Sequence, residues 1–281
     1  MTQHPAADNQ DLYTRVQSTV AAIREQTSLV PDIAIVLGSG LGPLADEIEN
    51  PTRLAYDSLP GFAASTAPGH AGELILGTLS GRNVVAMKGR IHLYEGVRAK
   101  DAAYPVRVMH ALGADTLLVS NACGGLNPHW QAGRLMLQLD LINFTGDNAL
   151  IGPNDERLGP RFPVMFDCYD PDYLNLARET ARAHDIPLYE GVYLAISGPS
   201  YATRAELRMF RQLGADTIGM STVHEVMAAR HEGMRVLGLS SVTDMAIADR
   251  DEHASGEDVL NVAAQIGPQF RALVSALVPK L

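Results

Sequence analysis

The chain has 281 residues, of which 46% are hydrophobic, with 32 Asp and Glu against 22 Lys and Arg for a net charge of −10. That length and apolar content support a sizeable core in one or two domains, and the acidic balance argues against a nucleic-acid binder, which carries a basic surplus or stripe. Two cysteines, Cys123 and Cys168, cannot form a disulfide framework and fit a reducing, cytoplasmic compartment; the polar start MTQHPAADNQ has no apolar signal segment, and no run approaches the ~18 apolar residues of a membrane span.

The first 31 residues form an N-terminal segment and helix. Leu12, Val16, Val20 and Ile23 recur there at helical spacing behind Asp8 and Asp11. Residues 32–37 (DIAIVL) are a short β-branched run that stops at Gly38. Strands follow at 74–79, 83–87, 116–120, 135–144, 192–196 and 236–239. Most are apolar nearly throughout and stop at Gly, Ser or Asn, as strands covered on both faces do. Helical patterns occupy 172–184, 203–213 and 223–232, and a long helix spans 257–277 with Pro268 expected to kink it. The alternation predicts one α/β domain over 1–281, with a mixed central sheet flanked by helices. Residues 147–171 have no periodicity and are rich in Gly, Pro, Asn and Asp. A loop that long in a compact domain is functional or reaches a partner.

Ligands of such sheets bind at the carboxyl ends of the strands, so the turns there carry the chemistry. Gly38-Ser39-Gly40-Leu41-Gly42 can bring backbone and a hydroxyl close to an anion, yet has neither Walker A nor GxGxxG spacing. Gly69-His70-Ala71-Gly72 places a histidine between glycines, as an anion donor or as a plain surface turn. In Lys88–Gly96, an extended chain puts Arg90, His92 and Tyr94 on one face, with Ile91 and Leu93 on the other. Those three supply a planar fork for phosphate, a donor and a sugar-binding hydroxyl. Ser120–Pro128 (SNACGGLNP) exposes backbone N–H groups; Cys123 there reads as a packing residue rather than a nucleophile. Tyr201, in GPSYAT, either stacks on a flat ring or anchors the next helix. Ser221 or Thr222 would cap the helix at 223, whose N-terminus attracts phosphate. Asp244, at the end of SSVTDMA, could bind a polar ligand edge, donate a proton or simply cap a turn. Nine scattered histidines give no metal motif, and no GxSxG elbow occurs. Anion donors, a sugar-binding hydroxyl, an aromatic platform and one carboxylate suit a nucleoside-plus-phosphate enzyme.

Taken together, GSGLG, PGHAG, KGRIHLYEGV, NACGGLNP, GPNDERLGPRFP, GPSYATRAE and LGADTIGMSTVHEV resemble, in order, the purine nucleoside phosphorylases of the trimeric, low-molecular-mass class. The match runs from about Asp32 into the C-terminal helix. It implies a single-domain phosphorylase fold, a homotrimer, and reversible phosphorolysis of a nucleoside to base and α-ribose 1-phosphate with no cofactor, inorganic phosphate being the co-substrate. By position it implies a phosphate site of Ser39, His70, Arg90, His92, Asn121, Ala122 and Ser221. The ribose would meet His92, Tyr94 and Met220, with Phe162 of the long loop reaching a neighbouring subunit's sugar pocket. The base would meet Ala122, Cys123, Gly124, Tyr201, Ala202, Val223, Thr243 and Asp244. His92 and Asp244 become the catalytic candidates.

The departures lie at the base. Family members specific for 6-oxopurines carry Glu where this chain has Ala202, and Asn where it has Asp244. They also carry a 5′-hydroxyl-binding His where this chain has Gly256. An ionised Asp accepts from a 6-amino group but repels a 6-oxo group; a protonated one can donate to N7. The pattern resembles the related methylthioadenosine phosphorylases, whereas the phosphate motifs look like the 6-oxopurine branch. The sequence therefore predicts a preference shifted toward 6-aminopurines. A methylthioadenosine phosphorylase, a non-catalytic nucleoside- or phosphosugar-binding protein and a metal-dependent hydrolase are the competing readings; the lack of an Asp-rich metal motif argues against the last.

Overall fold

The computed structural model describes residues 11–67, 71–251 and 255–281. Among these residues, nine strands form one mixed sheet: β1 Ile33–Leu37, β2 Glu49–Ala55, β3 Glu73–Leu79, β4 Arg82–Lys88, β5 Thr116–Gly125, β6 Arg134–Asn143, β7 Leu188–Ala195, β8 Thr217–Gly219 and β9 Arg235–Met245. Their order is β2-β3-β4-β1-β5-β8-β7-β6-β9, and β9 also pairs with β5, so the last five strands close into a ring. The helices are α1 Leu12–Arg24, α2 Ala99–Ala102, α3 Tyr104–Ala111, α4 Pro171–Ala183, α5 Arg204–Gln212, α6 Val223–His231 and α7 Gly256–Leu277.

β1 shows how the apolar runs build this architecture. All five residues are buried, because the strand is covered on both faces. Ala34 and Val36 pack with α1, α3 and α6, while Ile33, Ile35 and Leu37 pack with α4 and α7. Each fully buried side chain of this size stabilises the fold by about 1.5–3 kcal/mol. Helices on both faces of a mixed sheet match the expected α/β class.

Several elements differ from their sequence-based bounds, for physical reasons. β5 and β9 run past residues 120 and 239. Ser120, Asn121, Ser240 and Ser241 are buried and continue the ladder, with Asn121 opposite Ser240. These polar residues interrupt the apolar runs inside the protein: Asn121 lines a cavity, Ser120 Oγ donates to Val36 O at 2.9 Å, and Ser240 Oγ accepts from Gln138 Nε2 at 2.8 Å. β2 escapes prediction as an exposed edge strand containing Pro51, and β8 as a three-residue strand. α3 is buried from Tyr104 to Met109 and so has no amphipathic stripe to betray it. α7 continues through Pro268, which removes one backbone N–H without ending the helix.

Two consequences position the functional site. Register places Leu37 beside Lys88 and Val36 beside Val119, so the turns after β1, β4, β5 and β9 emerge at one edge. Residues 144–170 form no helix or strand. The loop is tied down near its start, where Arg98 Nε donates to Asp147 at 2.8 Å and Asn154 Oδ1 lies 3.2 Å from His231 Nε2.

Candidate active site

Gly38 sits where β1 meets β5. A Cβ on it would stand 2.7 Å from Asn121 Cα. Gly40 has φ +75°, and a Cβ there would overlap that of Ala263 on α7. Only glycines let the Ser39 turn pass between β5 and α7.

Arg90, just after β4, is 1% exposed. A buried guanidinium must be paired and hydrogen-bonded. Its Nε donates to Glu225 Oε1 at 2.9 Å, and its Nη1 donates to Ser120 O at 2.6 Å and to Ser221 Oγ at 3.2 Å. Glu225 is likewise buried, in the first turns of α6. The side chain is thus locked by β5, α6 and the turn before it.

His92 is fixed by a nearby carboxylate. Its backbone N–H donates to Glu95 Oε1 at 2.7 Å, and its Nδ1 lies 3.2 Å from the same oxygen. Burial works to raise the Glu95 pKa, but hydrogen bonds from the Thr66 N–H and hydroxyl and from His92 outweigh it and hold the carboxyl below its ordinary value. An ionised Glu95 places the ring proton on Nδ1. The ring stacks on Tyr94 at 4.6 Å and 14°. The segment is not extended throughout, since Leu93–Glu95 form a 3-10 turn. Arg90, His92 and Tyr94 nevertheless line one cavity, while Ile91 is buried.

The turn before α6 is strained. Thr222 has φ 73° and ψ −52°, and Val223 N–H donates to Ser221 O at 2.8 Å. This is the γ-turn that β-branched residues avoid, at a cost of about 1–3 kcal/mol. Asn121 Nδ2 donates to Thr222 Oγ1 at 2.8 Å and helps to hold it. The expected side-chain cap on α6 is not made. Instead Ser221 faces Arg90.

Three residues further along β5 than Asn121, about 10 Å away, lies Gly124. A Cβ there would meet Asp244 Oδ2 and Ala246 Cβ at 3.1 Å each, and Ile218 Cγ2 at 3.5 Å. Burial raises the Asp244 pKa against a lowering hydrogen bond from the Thr243 hydroxyl at 3.1 Å. The Cys123 thiol is pushed up to about 12, by burial first and then by the Asp244 charge, as befits a packing residue. Beside Asp244 stands an apolar group. Ala202, Leu207, Ile196 and Ala246 pack on one small core with Ile218.

One cavity of about 260 Å³ gathers most residues singled out in the sequence: Ser39, Arg90, His92, Asn121, Ala122, Ser221, Tyr94, Met220, Cys123, Gly124, Tyr201, Ala202, Thr243 and Asp244. Tyr201 is 64% exposed, which suits a stacking platform and not a buried helix anchor. His70 lies outside the described residues. Val223 does not reach the cavity: beyond the γ-turn it packs in the core with Cys123, Tyr193 and Val242. Phe162 does not line the cavity either; it is 85% exposed, with Phe166 and Val164 also exposed on the same loop.

Sequence reasoning missed Glu225, Glu95, the apolar wall, and Arg204 and Arg250 at the cavity. A carboxylate inside the apolar run VHEVMAA was a usable signal for Glu225, and the His92-to-Glu95 capping-box spacing was one for Glu95. The wall gave none, since its residues look like core. Arg204 donates to Ala248 O at 2.9 Å and to Asp251 at 2.7 Å, so it holds the segment after β9. Among the described residues, no group of three or more His, Cys, Asp or Glu could hold a metal, and no helix is long and apolar enough to cross a membrane.

The model of the Phosphorylase superfamily matches residues 32–279. Purine nucleoside phosphorylase 1 of Bacillus subtilis is 48% identical over 264 residues, covering 94% of this chain and 97% of that one. The Bos taurus purine nucleoside phosphorylase is 44% identical, covering 95% and 96%. The crystal structure of Schistosoma mansoni purine nucleoside phosphorylase in complex with adenosine superposes with a TM-score of 0.90 at 40% identity, covering 95% and 97%. That of Schistosoma mansoni purine nucleoside phosphorylase in complex with inosine gives 0.91 at 38%, covering 95% and 96%.

Proposed function

The chain belongs to the phosphorylase superfamily, among its purine nucleoside phosphorylases, and on that premise we propose that its preference has moved toward 6-aminopurine nucleosides. As a purine nucleoside phosphorylase it is a pentosyltransferase, converting a purine nucleoside and phosphate to free base and α-D-ribose 1-phosphate. A phosphate oxygen bonds to C1′ as the C1′–N9 bond breaks. The electron pair leaves with the purine, which takes up a proton on a ring nitrogen. Positive charge develops on the sugar and negative charge on the base, so catalysis lies in positioning phosphate and stabilising the leaving base.

In this reading Ser39, Arg90, His92, Asn121, Ser221 and the Ala122 N–H bind phosphate, with His70 added by its motif. The prior fixing of Arg90 and His92 supports it, because donors held in place need no reorganisation as charge develops. Tyr94 and Met220 flank the ribose. Tyr201, Cys123, Gly124, Ala202 and Thr243 surround the base, and Asp244 meets its polar edge. When ionised, Asp244 accepts from a 6-amino group; when protonated, it donates to N7 and assists departure. The single observation that carries the preference is that Asp244 is the one carboxylate of the cavity lining among the described residues, with Ala202 in an apolar wall of the same cavity.

A 5′-thioether nucleoside is the second reading. It is favoured by Gly256, a residue without a side-chain donor at the start of α7, and by Val259 on the cavity wall one turn later. The working assembly is a homotrimer in a reducing cytoplasm. The anchored loop that presents Phe162 to solvent supports the former, and two free, buried cysteines the latter. Phosphorolysis is assayed with inosine, guanosine, adenosine and methylthioadenosine, with and without phosphate. The expected result is phosphate-dependent release of base, highest kcat/KM on a 6-aminopurine nucleoside. Turnover of inosine and guanosine well above both 6-amino substrates contradicts the preference.

A further inference from the structure

One part of the cavity lining is an apolar wall of Ala202, Ile196, Leu207, Ile218 and Ala246. In a purine nucleoside the sugar is on N9, and the C6–N1–C2 edge lies on the opposite side of the ring system. With the sugar toward Arg90 and His92, that edge faces the wall of Ala202, Ile196, Leu207, Ile218 and Ala246. None of these side chains can donate to or accept from N1. Asp244 borders the same wall, since its Oδ2 and Ala246 Cβ both stand 3.1 Å from the Cβ position of Gly124. A 6-amino group has two N–H bonds. One suffices for the carboxylate, and the second hydrogen can be replaced by a carbon chain that runs over the wall.

We infer that the wall around Ala202 is a subsite for an apolar substituent on the exocyclic nitrogen, making 6-(alkylamino)purine nucleosides substrates of the phosphorolysis. The inference rests on the proposed 6-amino preference and adds to it a second contact. Burying a short alkyl chain there releases water from apolar surface on both partners. A dialkylated nitrogen, by contrast, keeps no N–H and would leave the half-buried Asp244 carboxylate facing carbon.

The test compares adenosine, N6-methyladenosine, N6-propyladenosine, N6,N6-dimethyladenosine and inosine with the full-length enzyme in phosphate. The subsite predicts kcat/KM for the two monoalkyl substrates within about tenfold of adenosine, because added methylenes are accepted by a hydrophobic pocket. It also predicts a much lower value for the dimethyl compound. Ala202→Leu fills the subsite, and within that variant the ratio of N6-propyladenosine to adenosine should fall at least tenfold. Adenosine turnover with monoalkyl substrates more than 100-fold poorer overturns the subsite and leaves the 6-amino preference standing. Efficient turnover of inosine with none of adenosine or its alkyl derivatives overturns both. An unchanged ratio in Ala202→Leu removes the wall from the account even where alkyl substrates react.

Discussion

The two ends of the cavity are built on opposite principles. At the proposed phosphate end polar groups are buried and interlocked: Arg90 on Glu225, Ser120 and Ser221, His92 on Glu95, and Asn121 on Thr222. At the proposed base end one half-buried carboxylate stands against a wall of aliphatic side chains. A change in the first network leaves a buried charge or dipole unpaired, which is expensive. A change in the second alters shape and one hydrogen-bond preference. On the proposed reading the molecule separates the chemistry, which tolerates little, from base recognition, which would drift by single substitutions such as those at positions 202 and 244.

That contrast can be broken by experiment. Arg90→Met should have the largest effect. It removes a preorganised cation from the anion site, lowering kcat/KM for every nucleoside by about 10²–10³-fold. It also strands Glu225, so the thermal midpoint should fall as well. A large loss confined to one base type would mean that Arg90 reads the base. Glu225→Gln keeps an acceptor for Arg90 Nε but removes the counter-charge. It should raise KM for phosphate more than KM for nucleoside, and equal changes in both would contradict a positioning role. Next comes pH. Because burial raises the Asp244 pKa, this acid takes up its proton at higher pH than an exposed aspartate. As pH falls from neutral, the ionised acceptor is lost, and kcat/KM for adenosine should fall relative to inosine. A flat ratio would remove Asp244 from base recognition. The smallest effect is expected for Phe162→Ala, which touches neither network in its own chain. It should raise nucleoside KM several-fold in a trimer by sedimentation, and a monomeric wild-type chain would contradict the shared pocket.

Legibility in the sequence followed the same division. The polar end was readable because polar residues at strand ends are conspicuous: Ser39, Arg90, His92 and Asn121 follow apolar runs, Ser221 precedes a helical pattern, and all five line the cavity. Asp244 was readable for the same reason. The wall was not, since Ile196, Leu207 and Ile218 look identical whether they pack against protein or a ligand. Val223 packs in the core beyond the γ-turn at Thr222 and does not line the cavity, and backbone strain leaves no trace in composition. The closure of the ring was hidden too: β5 meets the short β8 only through Gly124 and Gly125, beyond its apolar run. Resemblance contributed what residue chemistry alone left open, namely the kind of reaction.

The central claim is that one carboxylate against an apolar wall sets the base preference. The most direct measurement is the ratio of kcat/KM for adenosine to that for inosine in the wild-type enzyme and in Asp244→Asn, at neutral pH in phosphate. The amide can donate to a 6-oxo group where the carboxylate repels it, so the ratio should fall by at least about tenfold, mainly through a gain on inosine. A ratio unchanged by the substitution, with both activities retained, would contradict the account.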